Sequence, residues 1–137
     1  MSIYVIVFRH SNAAIRGIDM EKRMEYMILI YGDEKAFDAL PESARLDVLE
    51  QYRLYTEQLE AAGVMRGGSQ LASPDTARTV RVRDGKSLLT DGPYAETKEQ
   101  LGGYYIIETA GLEQALHWAS LCPTAAVGSV EVRQMLR

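Results

Sequence analysis

Apolar and polar positions change rhythm several times along the chain, and each change marks an element. Tyr26-Met-Ile-Leu-Ile-Tyr31 is a continuous apolar run, too short for a helix and rich in Ile and Tyr, which predicts a buried strand. From Pro41 to Gly63 the rhythm is helical. Val48, Tyr52, Tyr55, Leu59 and Ala62 recur at spacings of three and four, while Glu50, Arg53, Glu57 and Glu60 fall elsewhere. Pro41 suits a first turn and Gly63 a left-handed C-terminal cap, so an amphipathic helix of about five or six turns is predicted. Val64–Leu71 reads as a short strand weakened by Gly67 and Gly68, and Ser73-Pro74-Asp75 turns the chain. Asp84-Gly85 separates two β-rich runs, Thr76–Arg83 and Lys86–Thr90, the pattern of a type I′ hairpin with positive φ at both central residues. Tyr104–Glu108 supplies another strand. Leu112, Ala115, Leu116 and Ala119 predict a second helix that must stop before Pro123, and Val130 and Val132 alternate with Glu131 and Arg133 in a closing strand.

The resulting order, β-α-β, hairpin, β-α-β, fits an α+β fold. In a ferredoxin-like split βαβ arrangement with an inserted hairpin, two helices cover one face of an antiparallel sheet. The other face then needs solvent, a ligand or a second subunit. Leaving Tyr, Ile, Val and Leu side chains wet there would forfeit about 25 cal/mol per Å² of apolar area, so a homodimer packed sheet against sheet is expected.

Residues 1–23 differ from the rest of the chain: four basic and two acidic side chains give +2, leaving −6 for residues 24–137. Ile3–Phe8 has strand character, but Ser11–Arg23 has no consistent period. The compact domain is therefore expected to span 24–137, with 1–23 an N-terminal extension of the kind an upstream start codon would add; an integral extra strand is the competing reading. The whole chain of 137 residues has a formal charge of −4, which offers no net field for nucleic acid or anionic lipid. No apolar run approaches the roughly 20 residues a bilayer demands, and the N-terminus lacks the form of an export signal. With a single cysteine, Cys122, this points to the cytoplasm.

Chemistry concentrates in Asp91-Gly-Pro-Tyr-Ala-Glu-Thr-Lys-Glu-Gln-Leu-Gly-Gly103, which sets Asp91, Tyr94, Glu96, Lys98 and Glu99 between a strand end and two glycines. Gly92 permits unusual dihedrals, Pro93 locks φ, and the Asp91 carboxylate can accept nearby backbone N–H bonds. Gly102 and Gly103 allow close approach by another backbone or a ligand.

Together with Tyr26-Met-Ile-Leu-Ile-Tyr-Gly-Asp-Glu34, Thr79-Val-Arg-Val-Arg-Asp-Gly85 and Gly128-Ser-Val-Glu-Val-Arg133, this segment resembles the YCII-related family in its DGPF-type branch, over about residues 24–135. Tyr94 stands where that branch usually has Phe. The resemblance implies a dimeric α+β barrel, places residues 1–23 outside the family domain, and suggests association with extracytoplasmic-function sigma factors. Structural relatives are proposed enzymes with a histidine and aspartate pocket. Here the corresponding helix position holds Tyr52, a poor base with an ordinary pKa of about 10.

Each candidate has two readings. Asp91 is a general base or ligand anchor, or a turn aspartate. Tyr52 is a polarising hydroxyl or core packing. Pro93, Tyr94, Glu96, Lys98, Gly102 and Gly103 line a binding cleft, or form a solvated turn and its strand entry. Arg78, Arg81, Arg83 and Lys86 make the hairpin basic without the interleaved aromatics of single-strand binders, which favours a solvated edge. His117 is read as surface or packing, and Trp118 as interface or core. No zinc spacing, P-loop, GxGxxG pattern or activated nucleophile is present, so no metal or cofactor is expected. The functional expectation is a small anionic or aromatic metabolite bound near Asp91–Gly103, with acid-base catalysis as its extension. The alternative is an interaction protein that contacts a sigma factor through the acidic first helix.

Overall fold

The computed structural model describes residues 23–136. The chain runs β1 (Met24–Gly32), α1 (Glu34–Asp38), α2 (Glu42–Ala61), β2 (Met65–Gln70), a 3-10 turn (Pro74–Thr76), β3 (Arg78–Arg83), β4 (Lys86–Asp91), β5 (Gln100–Thr109), α3 (Leu112–Ser120), a second 3-10 turn (Pro123–Ala126) and β6 (Ser129–Gln134). β2, β5, β1 and β6 form one sheet in that order, every neighbouring pair antiparallel, and β3–β4 form a separate two-stranded ribbon. This is a ferredoxin-like α+β architecture carrying an inserted hairpin.

Alternation along β1 sorts the two faces. Tyr26, Ile28 and Ile30 are buried, and their odd-numbered neighbours are only half-buried. On the buried side they meet Ile107 of β5, Tyr55 and Leu59 of α2, and Ala115 and Ala119 of α3 in one core cluster. Both long helices therefore cover the same face. Tyr55 packs edge-on against Tyr105, with ring centroids 5.4 Å apart, and donates its hydroxyl to the Trp118 carbonyl at 2.8 Å, tying α2 to α3. Trp118 itself is half-buried against the core, and His117 is exposed.

Helix ends follow local chemistry. Pro41 stands at the N-cap of α2, and Gly63 takes φ +71° just beyond the C-cap. The apolar rhythm does not predict the short α1. Its signal is polar: Asp33 accepts the Ala36 N–H at 3.1 Å as an N-cap. Asp84 and Gly85 both have positive φ, +52° and +74°, so the hairpin turn is the one the Asp-Gly pair predicts.

β5 is longer than expected, beginning at Gln100, so Gly102 and Gly103 lie inside the strand. At Gly103 an added Cβ would lie 3.1 Å from the Ser69 carbonyl oxygen, and at Gly68 it would lie 2.7 Å from that of Tyr104. Glycine on both sides lets β2 and β5 close up beside the irregularity between Met65 and Gly67. Arg66 clasps the same pair of strands, donating from Nε to Glu108 at 2.9 Å.

The second face of the sheet carries Met27, Leu29, Tyr31, Tyr104 and Ile106, all half-buried. No helix lies on it among the described residues, because α2 and α3 both pack on the opposite side.

Candidate functional site

At one end of the sheet several loops converge. β1 finishes at Gly32 opposite Gln100, and Tyr31 pairs with Ser129 at the start of β6. The 92–99 loop closes onto this end through Ser129, whose hydroxyl donates to Glu99 at 2.7 Å. Ser73, after β2, donates to Glu34 of α1 at 2.9 Å. Two carboxylates are thus held by serine hydroxyls from distant segments. The spacing of these four residues carries no sequence signal.

On the helix-covered side of the same end, Tyr52 projects from α2. Its hydroxyl is hydrogen-bonded to Thr124 Oγ1 and lies 3.6 Å from Cys122 Sγ. Burial pushes the Tyr52 hydroxyl well above the usual tyrosine range, and it pushes the Cys122 thiol up as well. Tyr52 is therefore a neutral hydrogen-bonding group at ordinary pH. Cys122 is a buried thiol rather than a thiolate.

Gly128 is what lets the second 3-10 turn lie close to β1. A Cβ there would meet the Tyr31 carbonyl oxygen at 2.5 Å and Thr124 Cγ2 at 2.9 Å. This close approach positions Thr124 under Tyr52, and nothing around Gly128 in the sequence signals that role.

Asp91 ends β4 with its carboxylate largely in solvent, 3.1 Å from Arg78 Nε across the ribbon. No backbone N–H reaches that carboxylate among the described residues. The turn is held instead by Gly92 N–H donating to the Ala77 carbonyl at 2.7 Å, and by Thr79 Oγ1 donating to the Gly92 carbonyl at 2.8 Å. Gly92 has φ +93°, the freedom expected of it.

Pro93 is half-buried, Tyr94 is 82% exposed, and Glu96 and Lys98 are exposed with no hydrogen bond or ion pair to a described residue. Gly102 faces open space, whereas Gly103 is buried against β2. Asp91 and Tyr52 belong to separate hydrogen-bonded groups. The structure joins Asp91 to Arg78, and Tyr52 to Thr124 and Cys122. Among the described residues no group of three or more His, Cys, Asp or Glu side chains is placed to hold a metal ion. Nor is any helix among them long and apolar enough to cross a membrane.

A ferredoxin-like sheet with one open face and a Gly-Pro loop at its end defines a class of small α+β proteins. Comparison narrows the class: the profile of the YCII-related domain matches residues 24–137, and this chain belongs to that family. It is also similar to the uncharacterized protein R00369 of Rhizobium meliloti (strain 1021), with 34% identity over 114 residues, 82% of this chain and 92% of that protein.

Proposed function

We propose that this chain is a homodimeric small-molecule-binding protein, its ligand held where the 92–99 loop meets the open face of the sheet. The observation that carries the reading is the half-buried row Met27, Leu29, Tyr31, Tyr104 and Ile106 beside a loop whose Lys98 has no partner among the described residues. A second copy packed on this row removes its apolar area from water and walls a hollow against the loop. Within the hollow, Lys98 supplies a cation for an anionic group and the two tyrosines supply ring faces, which favours an aromatic or aliphatic carboxylate.

Catalysis is an extension of this reading, with Asp91 as base and Lys98 as polarising group. Tyr52 takes no part in it, because its hydroxyl stays protonated on the helix-covered side, bonded to Thr124 beside Cys122. The domain is assigned to residues 24–137, with 1–23 outside it.

The test is thermal unfolding across a panel of aromatic and aliphatic carboxylates, with native mass spectrometry of the freshly purified protein. A saturable rise in Tm that Lys98→Ala abolishes supports the site. No shift with any member of the panel and no co-purified small molecule would overturn it. Asp91→Asn separates the two levels: retained binding with lost turnover assigns the base, and unchanged turnover removes Asp91 from the chemistry.

A second reading rests on α2. Leu46 and Leu49 are more than half exposed, next to the Glu50–Arg53–Glu57 ion-pair row. Such a surface fits a protein partner, a sigma factor among them. Stoichiometric recovery of a sigma factor that Leu46→Asp abolishes would favour this reading over the metabolite.

A further inference from the structure

We infer that the β3–β4 ribbon is an arm that docks on a second copy of this chain, an inference that rests on the dimeric reading above. The ribbon forms its own two-stranded sheet. Every residue of β4 is exposed, and Thr79 is the one residue of β3 that is half-buried. An isolated two-stranded ribbon is marginally stable in water, and its persistence calls for a surface to lie on.

Its register sorts it into two unlike faces. Val80 and Leu89 are cross-strand partners, and Val82 lies two residues along on the same face. These three are 62%, 68% and 58% exposed, an apolar strip in open water. The opposite face carries Arg81, Arg83 and Lys86, with Leu88 across from Arg81. An edge designed only for solubility would carry no such strip.

Two further observations point to a second copy as the occupant. The first is area: a sheet four strands wide, its strands six to ten residues long, has a footprint of roughly 500 Å², against the roughly 800 Å² per partner of a stable interface. Sheet pairing alone falls short, and the arm supplies further apolar surface. The second is charge: residues 78–91 hold four basic and two acidic side chains, +2, whereas the remainder of residues 24–137 holds seven basic and fifteen acidic, −8. Two such bodies repel one another. A basic arm reaching from each to the other offsets that repulsion and steers the encounter.

Sedimentation over a range of concentrations tests this, comparing the unaltered chain with a Val80→Ser, Leu89→Ser double variant and with Leu29→Glu on the open sheet face. Both arm positions are exposed, so the double variant should keep the circular dichroism of the parent. Expected is a dimer that Leu29→Glu disrupts and that the arm variant weakens by about tenfold or more. A double variant that associates like its parent overturns the arm while leaving sheet pairing intact. A parent that stays a single subunit at every concentration overturns both. Hydrogen exchange on the unaltered chain gives an independent reading. Amide protection across Val80–Leu89 that rises with protein concentration supports the arm, and protection independent of concentration overturns it.

Discussion

The β1–β5 pair and the β3–β4 ribbon are both antiparallel, and both are rich in β-branched, aromatic and aliphatic residues, yet their surroundings are opposite. Ile28 and Ile107 are fully buried beneath α2 and α3, whereas Val80 and Leu89 stand more than half in water. Strand propensity accounts for both and distinguishes neither. What separates them is topology: the central strands sit between neighbours and under helices, and the ribbon lies outside the four-stranded sheet, held together by its own turn.

The largest expected effect that sharpens this contrast is Leu59→Ala, which empties a fully buried site on α2 and should cost about 2–5 kcal/mol in urea unfolding. Leu89→Ala, measured at concentrations that keep subunits apart, should cost less than about 0.5 kcal/mol. Equal losses at the two leucines would break the comparison.

Next comes Gly128→Ala. The added methyl meets backbone at the Tyr31 carbonyl, so the second 3-10 turn must shift, at about 1–3 kcal/mol. Gly102→Ala, with open space around it, should change stability little. A similar cost at both glycines would show that strand conformation, not the close approach, decides.

A smaller effect belongs to the tyrosines under the helices. Tyr52→Phe removes the hydroxyl that bonds Thr124 and should cost about 1 kcal/mol. Burial raises the pKa of the Tyr52 and Tyr55 hydroxyls in the folded state, so above pH about 10 the unfolded chain releases protons that the folded chain retains. Their contribution is therefore complete below that pH and is lost as pH climbs toward the raised folded values. Urea midpoints between pH 9 and 11 (about one unit either side of the ordinary tyrosine pKa) should fall, and Tyr55→Phe should flatten the fall. No difference between Tyr55→Phe and its parent would remove this linkage.

The smallest expected effect is that of removing residues 1–23. Unfolding should stay cooperative with Tm unchanged, and a loss of cooperativity would join residues 1–23 to the fold.

Much of the fold is legible in the residues. Pro41 and Gly63 bracket α2, Asp84-Gly85 forces the hairpin, and among the described residues α2 and α3 pack on one face of the sheet, as the amphipathic patterns predict. The five-residue α1 escapes the apolar rhythm, since its start is a polar cap, Asp33, and none of its residues is buried. The site is less legible. Asp91 is readable as a special residue in a special turn, but its partner, Arg78, comes from the facing strand.

The sequence by itself determined the six strands, the two longer helices and their order, because helix period, strand alternation and turn chemistry are properties of short windows. Only the tertiary structure decided that Tyr52 answers to Thr124 and Cys122, that Glu99 is held by Ser129, and that Gly103 faces β2 rather than a cleft. Those contacts join residues tens of positions apart. Which side chains meet at such a separation is set by how the sheet orders its strands and how closely glycine lets two backbones approach.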